Sequence, residues 1–477
     1  MMLDQTSRSA TTAATMIGKL TRRFFRSRGG STSMIFGLSL IPMIFLVALG
    51  LDFSAAAQKQ AQLNTAADAA ALAAVAPGAM TQTAAEAQTT ATNIFMAQAS
   101  LIPNLSYSTP TVTVTQNGMT RTVTVSYTAY SVNSFPNVFA LLTKTAENTW
   151  TLSGSSTSTS TTSPNINFYL LLDNSPSMAI AATTAGINTM VANTSAQGGC
   201  AFACHESDPA ADNLGNPNGE DNYTLAQNLG VVTRIQNMAT ATAQLMTTAT
   251  DMMDANNATC PDGPGCYQMA IFTFNLQGNS GTNCKNTAIQ VIYAPNCAAS
   301  SDLSAAQTAA AGIDVVEVCK NSWLTCSNDN NDTDTDFETA MSAISSIMPS
   351  PGTGTAGNSP QDVLFLVTDG VDDEVNSSSC SQPLDSSTRC QQPFNTTWCT
   401  TVKNNGIRIA VLYTEYLPLP TNAWYNQWIS PFEGSIGSNL QSCASPGLYK
   451  EVTTDDDIAA AMQTLFQIAV SSARLSQ

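Results

Sequence analysis

Two uncharged apolar runs, nearly 200 residues apart, each end on an aspartate. Phe168-Tyr169-Leu170-Leu171-Leu172 runs into Asp173-Asn174-Ser175-Pro176-Ser177, and Val363-Leu364-Phe365-Leu366-Val367-Thr368 runs into Asp369-Gly370. Short runs of this kind read as strands buried on both faces, the pattern of a parallel sheet. In open parallel sheets ligands collect beyond the carboxyl ends of the strands, so both aspartates belong to one rim. The Asp-x-Ser-x-Ser spacing lets the Asp173 carboxylate and the Ser175 and Ser177 hydroxyls face one point if the backbone loops tightly, and Pro176 favours such a turn. Oxygen-only donors suit Mg2+, or Mn2+ or Ca2+. A cation held by one direct carboxylate and neutral hydroxyls keeps charge to spare, so an acidic side chain from a partner can complete its shell. That is recognition chemistry rather than catalysis.

Around these runs the pattern predicts strand 167–172, a long insertion to about Tyr223, helix 224–254, strands 268–275 and 289–294, helix 302–311, helix 337–348, strand 363–368, helix 395–404, strand 407–414 and helix 455–471. Strands alternating with helices imply a doubly wound α/β sheet covered on both faces. All 12 cysteines lie between Cys200 and Cys443. An even number confined to one region reads as disulfides formed in an oxidising compartment. The short spans Cys260/Cys266, Cys319/Cys326 and Cys380/Cys390 would close rim loops, while the full connectivity stays open. Cys200-Ala201-Phe202-Ala203-Cys204-His205 is one residue too long for a c-type haem site and reads as a disulfide-stapled loop. His205 is the one histidine of the chain. With no Ser-His-Asp or Cys-His set, no Gly-rich phosphate loop and no zinc-spaced His pair, the expectation is a protein that is not an enzyme. The loop Asp329 to Asp336 is acidic; it reads as a solvated loop, with a separate Ca2+ site as its rival.

No charged residue occurs from Gly29 through Leu51, a stretch long enough to cross a bilayer as a helix, with Pro42 tolerated inside it. Lys19, Arg22, Arg23, Arg26 and Arg28 precede it, which by the positive-inside rule puts residues 1–30 in the cytoplasm as a basic tail and everything after Asp52 outside. A cleavable signal is the rival, with small residues at Ser54-Ala55-Ala56-Ala57 and paired arginines at Arg22-Arg23. The apolar stretch exceeds a usual signal core, which favours a retained anchor over 31–52. Six of the 17 Lys and Arg and one of the 34 acids lie in the first 30 residues, leaving 11 basic against 33 acidic groups beyond. Such a body repels nucleic acid and anionic surfaces, so its partners are expected to be neutral or basic proteins, or divalent cations. Residues 53–99 are rich in Ala and Gln, as a helix would be. From Tyr107 valines alternate with Thr and Ser around Gln116-Asn117-Gly118, a hairpin pattern. Ser153 to Ser163, almost all Ser, Thr and Gly, reads as a flexible linker.

Asp173, Ser175 and Ser177 together with Thr368-Asp369-Gly370 resemble the von Willebrand factor A (VWA) domain and its metal-ion-dependent adhesion site (MIDAS). That resemblance implies a Rossmann-like, mostly parallel sheet over 166–477 and a Thr ligand from a middle loop, for which Thr335 fits best and Thr333 is the alternative. A second resemblance rests on Gly50-Leu51-Asp52 and on Gln62-Leu63-Asn64-Thr65-Ala66-Ala67-Asp68-Ala69-Ala70-Ala71-Leu72-Ala73, which are similar to the amino-terminal region of TadG-type proteins of the Tad (Flp) pilus system. It implies a bacterial inner-membrane protein of single pass with the bulk of the chain periplasmic, a TadE/G-like helix and hairpin region over 53–152, a linker over 153–165, and pilus or envelope components as partners. Two roles follow: a metal-dependent binding protein, or a structural anchor in which the metal only stabilises the fold.

Overall fold

The computed structural model describes residues 31–80, 82–117, 119–135, 149–206, 209, 214–255, 258, 260–261, 263–275, 284, 289–318, 335–355, 358–375, 379–384, 389–416 and 418–473. Two compact units result. One comprises residues up to Gln116 together with Arg121–Ser160, and the other Asn117–Thr120 with Thr161 onward.

The first unit is built on α1 (Ser31–Ala73), a single helix of 43 residues that runs through Pro42. At 1.5 Å per residue it is roughly 65 Å long, about twice a bilayer's apolar thickness. Its two halves differ as their side chains do. Met34, Ile35, Phe36, Leu38 and most of the other large apolar residues up to Phe53 are exposed, whereas Leu63, Ala66, Ala67, Ala70, Ala71 and Ala74 are buried. The apolar half fits a single-pass membrane anchor. The alanine half packs against α2 (Ala84–Ala99), which carries a capping box between Thr83 and Glu86. A sheet of β1 (Leu105–Tyr107), β2 (Thr111–Asn117), β3 (Thr120–Val132) and β4 (Thr149–Thr161) closes this core with Val112, Val123, Val125 and Leu152. Small side chains let helix and sheet backbones come close. Gly154 shows how close: a Cβ there would lie 2.6 Å from the Tyr127 hydroxyl and 2.7 Å from Asn64 Oδ1.

Most of Ser153 to Ser163 is therefore strand, which corrects the expectation of a flexible linker. The residues are linker-like by composition, but Thr is β-branched and favours strands. Thr122, Thr124 and Ser126 of β3 pair hydroxyl to hydroxyl with Thr159, Thr157 and Ser155 of β4, at 3.0–3.1 Å. The pairing steps forward on one strand and back on the other, so the two are antiparallel.

The second unit is a six-stranded sheet. Its strands are β5 (Ile166–Asp173), β6 (Tyr267–Phe274), β7 (Ile289–Tyr293), β8 (Gln361–Thr368), β11 (Arg408–Thr414) and β12 (Tyr449–Val452), with a separate hairpin of β9 (Val371–Val375) and β10 (Arg389–Pro393). The order is β12-β11-β8-β5-β6-β7, and every pair is parallel except β6 with β7. After β5 the chain first builds outward through β6 and β7, then returns to the other side of β5 as β8. The carboxyl ends of β5 and β8 thus flank the point where strand order reverses.

Every residue of β5 is buried, as the continuous apolar run requires, and alternate residues serve opposite faces. Phe168, Leu170 and Leu172, with Val363, Phe365 and Val367, meet α4 (Arg234–Ala255), α5 (Leu303–Ala310) and α9 (Ile458–Ala473). Tyr169, Leu171, Leu364 and Leu366 meet α6 (Phe337–Ile347), α7 (Thr397–Asn404) and α8 (Glu433–Cys443). A further helix, α3 (Thr184–Asn193), lies in the long insertion. Helix 224–254 is two helices, Asn222–Asn228 and α4, parted by Gly230 at φ +68.

Four disulfides are described: Cys260–Cys266, Cys284–Cys297, Cys380–Cys390 and Cys399–Cys443. Two of the three short spans singled out above are among them, and Cys319/Cys326 lies outside the described residues. Cys399–Cys443 ties α7 to α8 inside the apolar layer they share, across 44 residues. Closing a loop of that size is worth about 4 kcal/mol of chain entropy. Replacing both cysteines by alanine is expected to cost about 2–4 kcal/mol, read as a lower denaturation midpoint of the full chain in detergent.

At the amino ends of the strands, Asn167 Nδ2 donates to Asp362 Oδ1 at 3.0 Å, and both residues are buried. Burial pushes the Asp362 carboxyl up to about 7, against the pull of that hydrogen bond. The folded state then keeps its proton to higher pH than the unfolded chain, so stability falls as pH rises from about 4 through 7. Asp362→Asn should remove this part. Its thermal midpoint in chelator, compared with wild type, is expected to gain a few °C between pH 5 and pH 8.

Candidate metal centre

Asp173 is the last residue of β5, and Asp369 follows the last residue of β8. Both are fully buried. Their neighbours are groups that can satisfy a carboxylate. Ser175 N–H donates to Asp173 Oδ1 at 3.0 Å, and the Thr368 hydroxyl to Asp173 Oδ2 at 2.8 Å. Val371 N–H donates to Asp369 Oδ1 at 3.2 Å, and the nearby Ser177 hydroxyl helps hold this carboxyl's pKa down. Ser175 Oγ and Ser177 Oγ are 2.9 Å apart. Pro176 opens a short 3-10 turn, Pro176–Ala179, which folds the loop back. Burial raises both carboxyls well above the usual carboxylate range, and the Asp369 charge raises Asp173 further. Buried Arg234 of α4 partly offsets this for Asp369.

Thr335 reaches the same place by a long-range contact. Its N–H donates to Asp373 O at 3.0 Å, and Asp373 N–H donates back at 2.9 Å. It lines, with Ser175 and Ser177, a cavity of about 320 Å3. Thr333 lies outside the described residues, as does most of the acidic loop from Asp329. Asp173, Ser175, Ser177 and Asp369 thus meet through direct hydrogen bonds and electrostatics, and Thr335 joins them across the cavity.

Several residues of this rim have no signature in the sequence. Asp372 Oδ1 accepts from Phe337 N–H, the start of α6, at 3.1 Å, and Gln392 Nε2 donates to Asp372 Oδ2 at 3.2 Å. Burial pushes the Asp372 carboxyl up strongly. Asp373 takes two hydrogen bonds from Arg389, at 2.9 and 2.6 Å. The Arg389 guanidinium lies 5.6 Å from the Trp424 ring centroid. Arg234 Nη2 donates to Thr454 Oγ1 at 3.3 Å, and Nη1 donates to the Glu415 carbonyl. The scarcity of cations after residue 30 was the one available pointer to Arg234 and Arg389. His205 pairs with Asp221, whose side chain also caps helix Asn222–Asn228.

The donor set suits a hard cation. It consists of two buried carboxylates that repel each other and three hydroxyls, all oxygen. Among the described residues no group of three or more His, Cys, Asp and Glu is placed to hold a metal, so a cation here would rely on the hydroxyls as well.

Residues 30–86 match the Flp pilus-assembly TadE/G-like family profile. The amino-terminal segment is TadE/G-like. It covers the membrane-length part of α1 and its alanine-rich continuation, which ties the chain to pilus-related envelope proteins. No curated protein matches the chain. Among solved structures, the pilus adhesin SpaC from Lactobacillus rhamnosus GG aligns at 11% identity and TM-score 0.33 over 78% of this chain. This chain spans about a third (34%) of SpaC. The PilB minor pilin from Streptococcus sanguinis aligns at 10% identity and TM-score 0.33, over 78% of each chain. Alignments this loose carry no argument about fold or role.

Gly370 decides whether the Asp369 loop can form. Its φ is +76, and a Cβ would lie 2.5 Å from Ile436 and 2.7 Å from Leu440 of α8. Gly370→Ala is expected to cost about 1–3 kcal/mol through backbone strain and overpacking. Gly434→Ala, in open space on the same helix, should be neutral or slightly stabilising. Chemical denaturation of the two variants checks the contrast.

Proposed function

We propose that this protein is a membrane-anchored envelope component of a Tad/Flp-type pilus assembly or adhesion system, whose second unit is a VWA domain binding a protein partner through a divalent cation. The observation that carries the reading is the pair of buried carboxylates, Asp173 and Asp369, at the point of strand-order reversal. Strand order, a single antiparallel edge and the Asp-x-Ser-x-Ser loop after the central strand all support VWA. The TadE/G-like match at 30–86 supports the pilus setting.

Asp173, Ser175, Ser177, Thr335 and Asp369 would hold the ion, Mg2+ or alternatively Mn2+ or Ca2+. When bound, it supplies a positive centre for an acidic side chain of the partner. The protein side of the bargain is electrostatic. Glu206, Asp373 and Arg389 line the cavity with Ser175, Ser177 and Thr335, so without a cation the site is net acidic and repels a carboxylate. Partner binding is therefore metal-dependent, and no residue here is assigned a catalytic role. The alternative, a structural anchor stabilised by the metal, predicts binding of metal but no effect of Asp173→Ala on partner capture or pilus assembly.

Calorimetry with Mg2+, Mn2+ and Ca2+ on the full chain in detergent tests the site. One ion per chain is expected, and Asp173→Ala or Asp369→Ala should abolish it while the fold persists by circular dichroism. The wild type should also release protons on binding, because both carboxyls sit above their ordinary range. Absence of binding at millimolar metal would sink the reading.

A further inference from the structure

The cavity lined by Ser175, Ser177 and Thr335 is larger and more apolar than a lone carboxylate needs. Its volume of about 320 Å3 equals roughly ten waters of liquid, whereas an aspartate side chain has only four heavy atoms. Much of the remaining wall is aromatic: Phe202, Tyr416 and Trp424, with Pro176 and Val371 beside them. Tyr416 is buried and stacks on Tyr425, centroids 6.4 Å apart. Phe202 and Trp424 are half-buried and offer apolar surface to an incoming group. Trp424 is also held in place, since Arg389, itself fixed by two hydrogen bonds to Asp373, lies over its ring. A pre-set aromatic wall costs little ordering on binding and is the usual make-up of an interface hot spot.

We propose that the site takes a peptide segment in which an acidic residue stands directly beside an aromatic or long apolar one, the carboxylate at the metal and the neighbouring side chain against Phe202 and Trp424. This rests on the metal-dependent reading above and adds a second determinant to it. The metal end selects charge, and the aromatic wall selects size and hydrophobicity. A bare carboxylate would then bind weakly, and an acidic peptide lacking the apolar neighbour would be a poor partner.

The test uses the full chain in detergent with saturating Mg2+ and short blocked peptides as probes: Ac-Asp-Phe-NH2, Ac-Phe-Asp-NH2, Ac-Asp-Ala-NH2, Ac-Asn-Phe-NH2 and Ac-Lys-Phe-NH2. The better of the two Asp/Phe peptides should bind about tenfold tighter than Ac-Asp-Ala-NH2. Trp424→Ala should erase that preference without changing metal affinity. Phe202→Ala provides the same reading if the Trp424 variant does not fold. Equal affinity for the Asp/Phe and Asp/Ala peptides overturns the aromatic determinant and leaves the metal site intact. Equal affinity for Ac-Asn-Phe-NH2 overturns the acidic determinant, and with it the metal-dependent reading, while leaving an apolar site. Tightest binding of Ac-Lys-Phe-NH2 in chelator makes the cavity a receptor for cations and overturns both. Failure of every peptide at about 10 mM also overturns the inference.

Discussion

The second unit is organised around a cost: two carboxylates are buried next to each other. An unpaired charge inside a protein is expensive, and two of like sign are worse. The surrounding structure reduces that cost from every side. Thr368 and the Ser175 amide serve Asp173, while Ser177, the Val371 amide and the field of Arg234 serve Asp369. Even so, the balance remains unfavourable to charge, as the raised carboxyls show. A protein has no structural need for such a pair, since an apolar strand end would be cheaper.

The same economy explains the middle loop. Thr335 reaches the cavity because its own backbone and that of Phe337 are pinned to β9. Asp373 bonds its backbone on both sides, and Asp372 caps the start of α6 at Phe337. Asp373 is in turn neutralised by Arg389, whose guanidinium covers Trp424. One hairpin, β9 with β10, therefore positions a hydroxyl, an ion pair and an aromatic wall together. A perturbation at Arg389 would reach Thr335 through Asp373, which bonds both.

What was legible in the sequence follows from where the information lies. The central strands were read to within about two residues, 167–172 against Ile166–Asp173 and 363–368 against Gln361–Thr368, because burial on both faces leaves an unbroken apolar run. Asp173, Ser175, Ser177 and Asp369 could be singled out because each lies at or just after the end of an unbroken apolar run. Thr335 could be ranked but not fixed, since a bridge to Asp373, 38 residues on, sets its place. Edge strand β12 went unread because Lys450 and Glu451 give it the charge that protects sheet edges. Strand β4 was read as linker because composition does not distinguish a solvated Ser/Thr tract from one whose hydroxyls pair across a sheet. Trp424 and Arg234 act through contacts between distant segments, which no local pattern records.

In the first unit one helix carries two incompatible surfaces. Up to Phe53 most of its large apolar side chains face outward, and from Ala56 one alanine-rich face, with Ala66, Ala67, Ala70 and Ala71, meets a protein core. The junction is held by polar groups. Asp52, buried, accepts from the Ser134 amide at 2.8 Å and the Phe135 amide at 3.2 Å, and Lys59 Nζ donates to the Asn104 carbonyl at 3.0 Å and to the Ser131 hydroxyl at 3.1 Å. Burial lowers the Lys59 pKa, against the raising effect of Asp52. The Gly-x-Asp feature that carried the family resemblance thus has a structural job: its carboxylate ties the end of the apolar helix to the strand end after Val132. Because the helix is continuous across this tie, its apolar half and the β-sheet of the same unit are joined without a break in helical structure. That connection comes from helix continuity and one buried aspartate, and does not involve the paired carboxylates of the second unit.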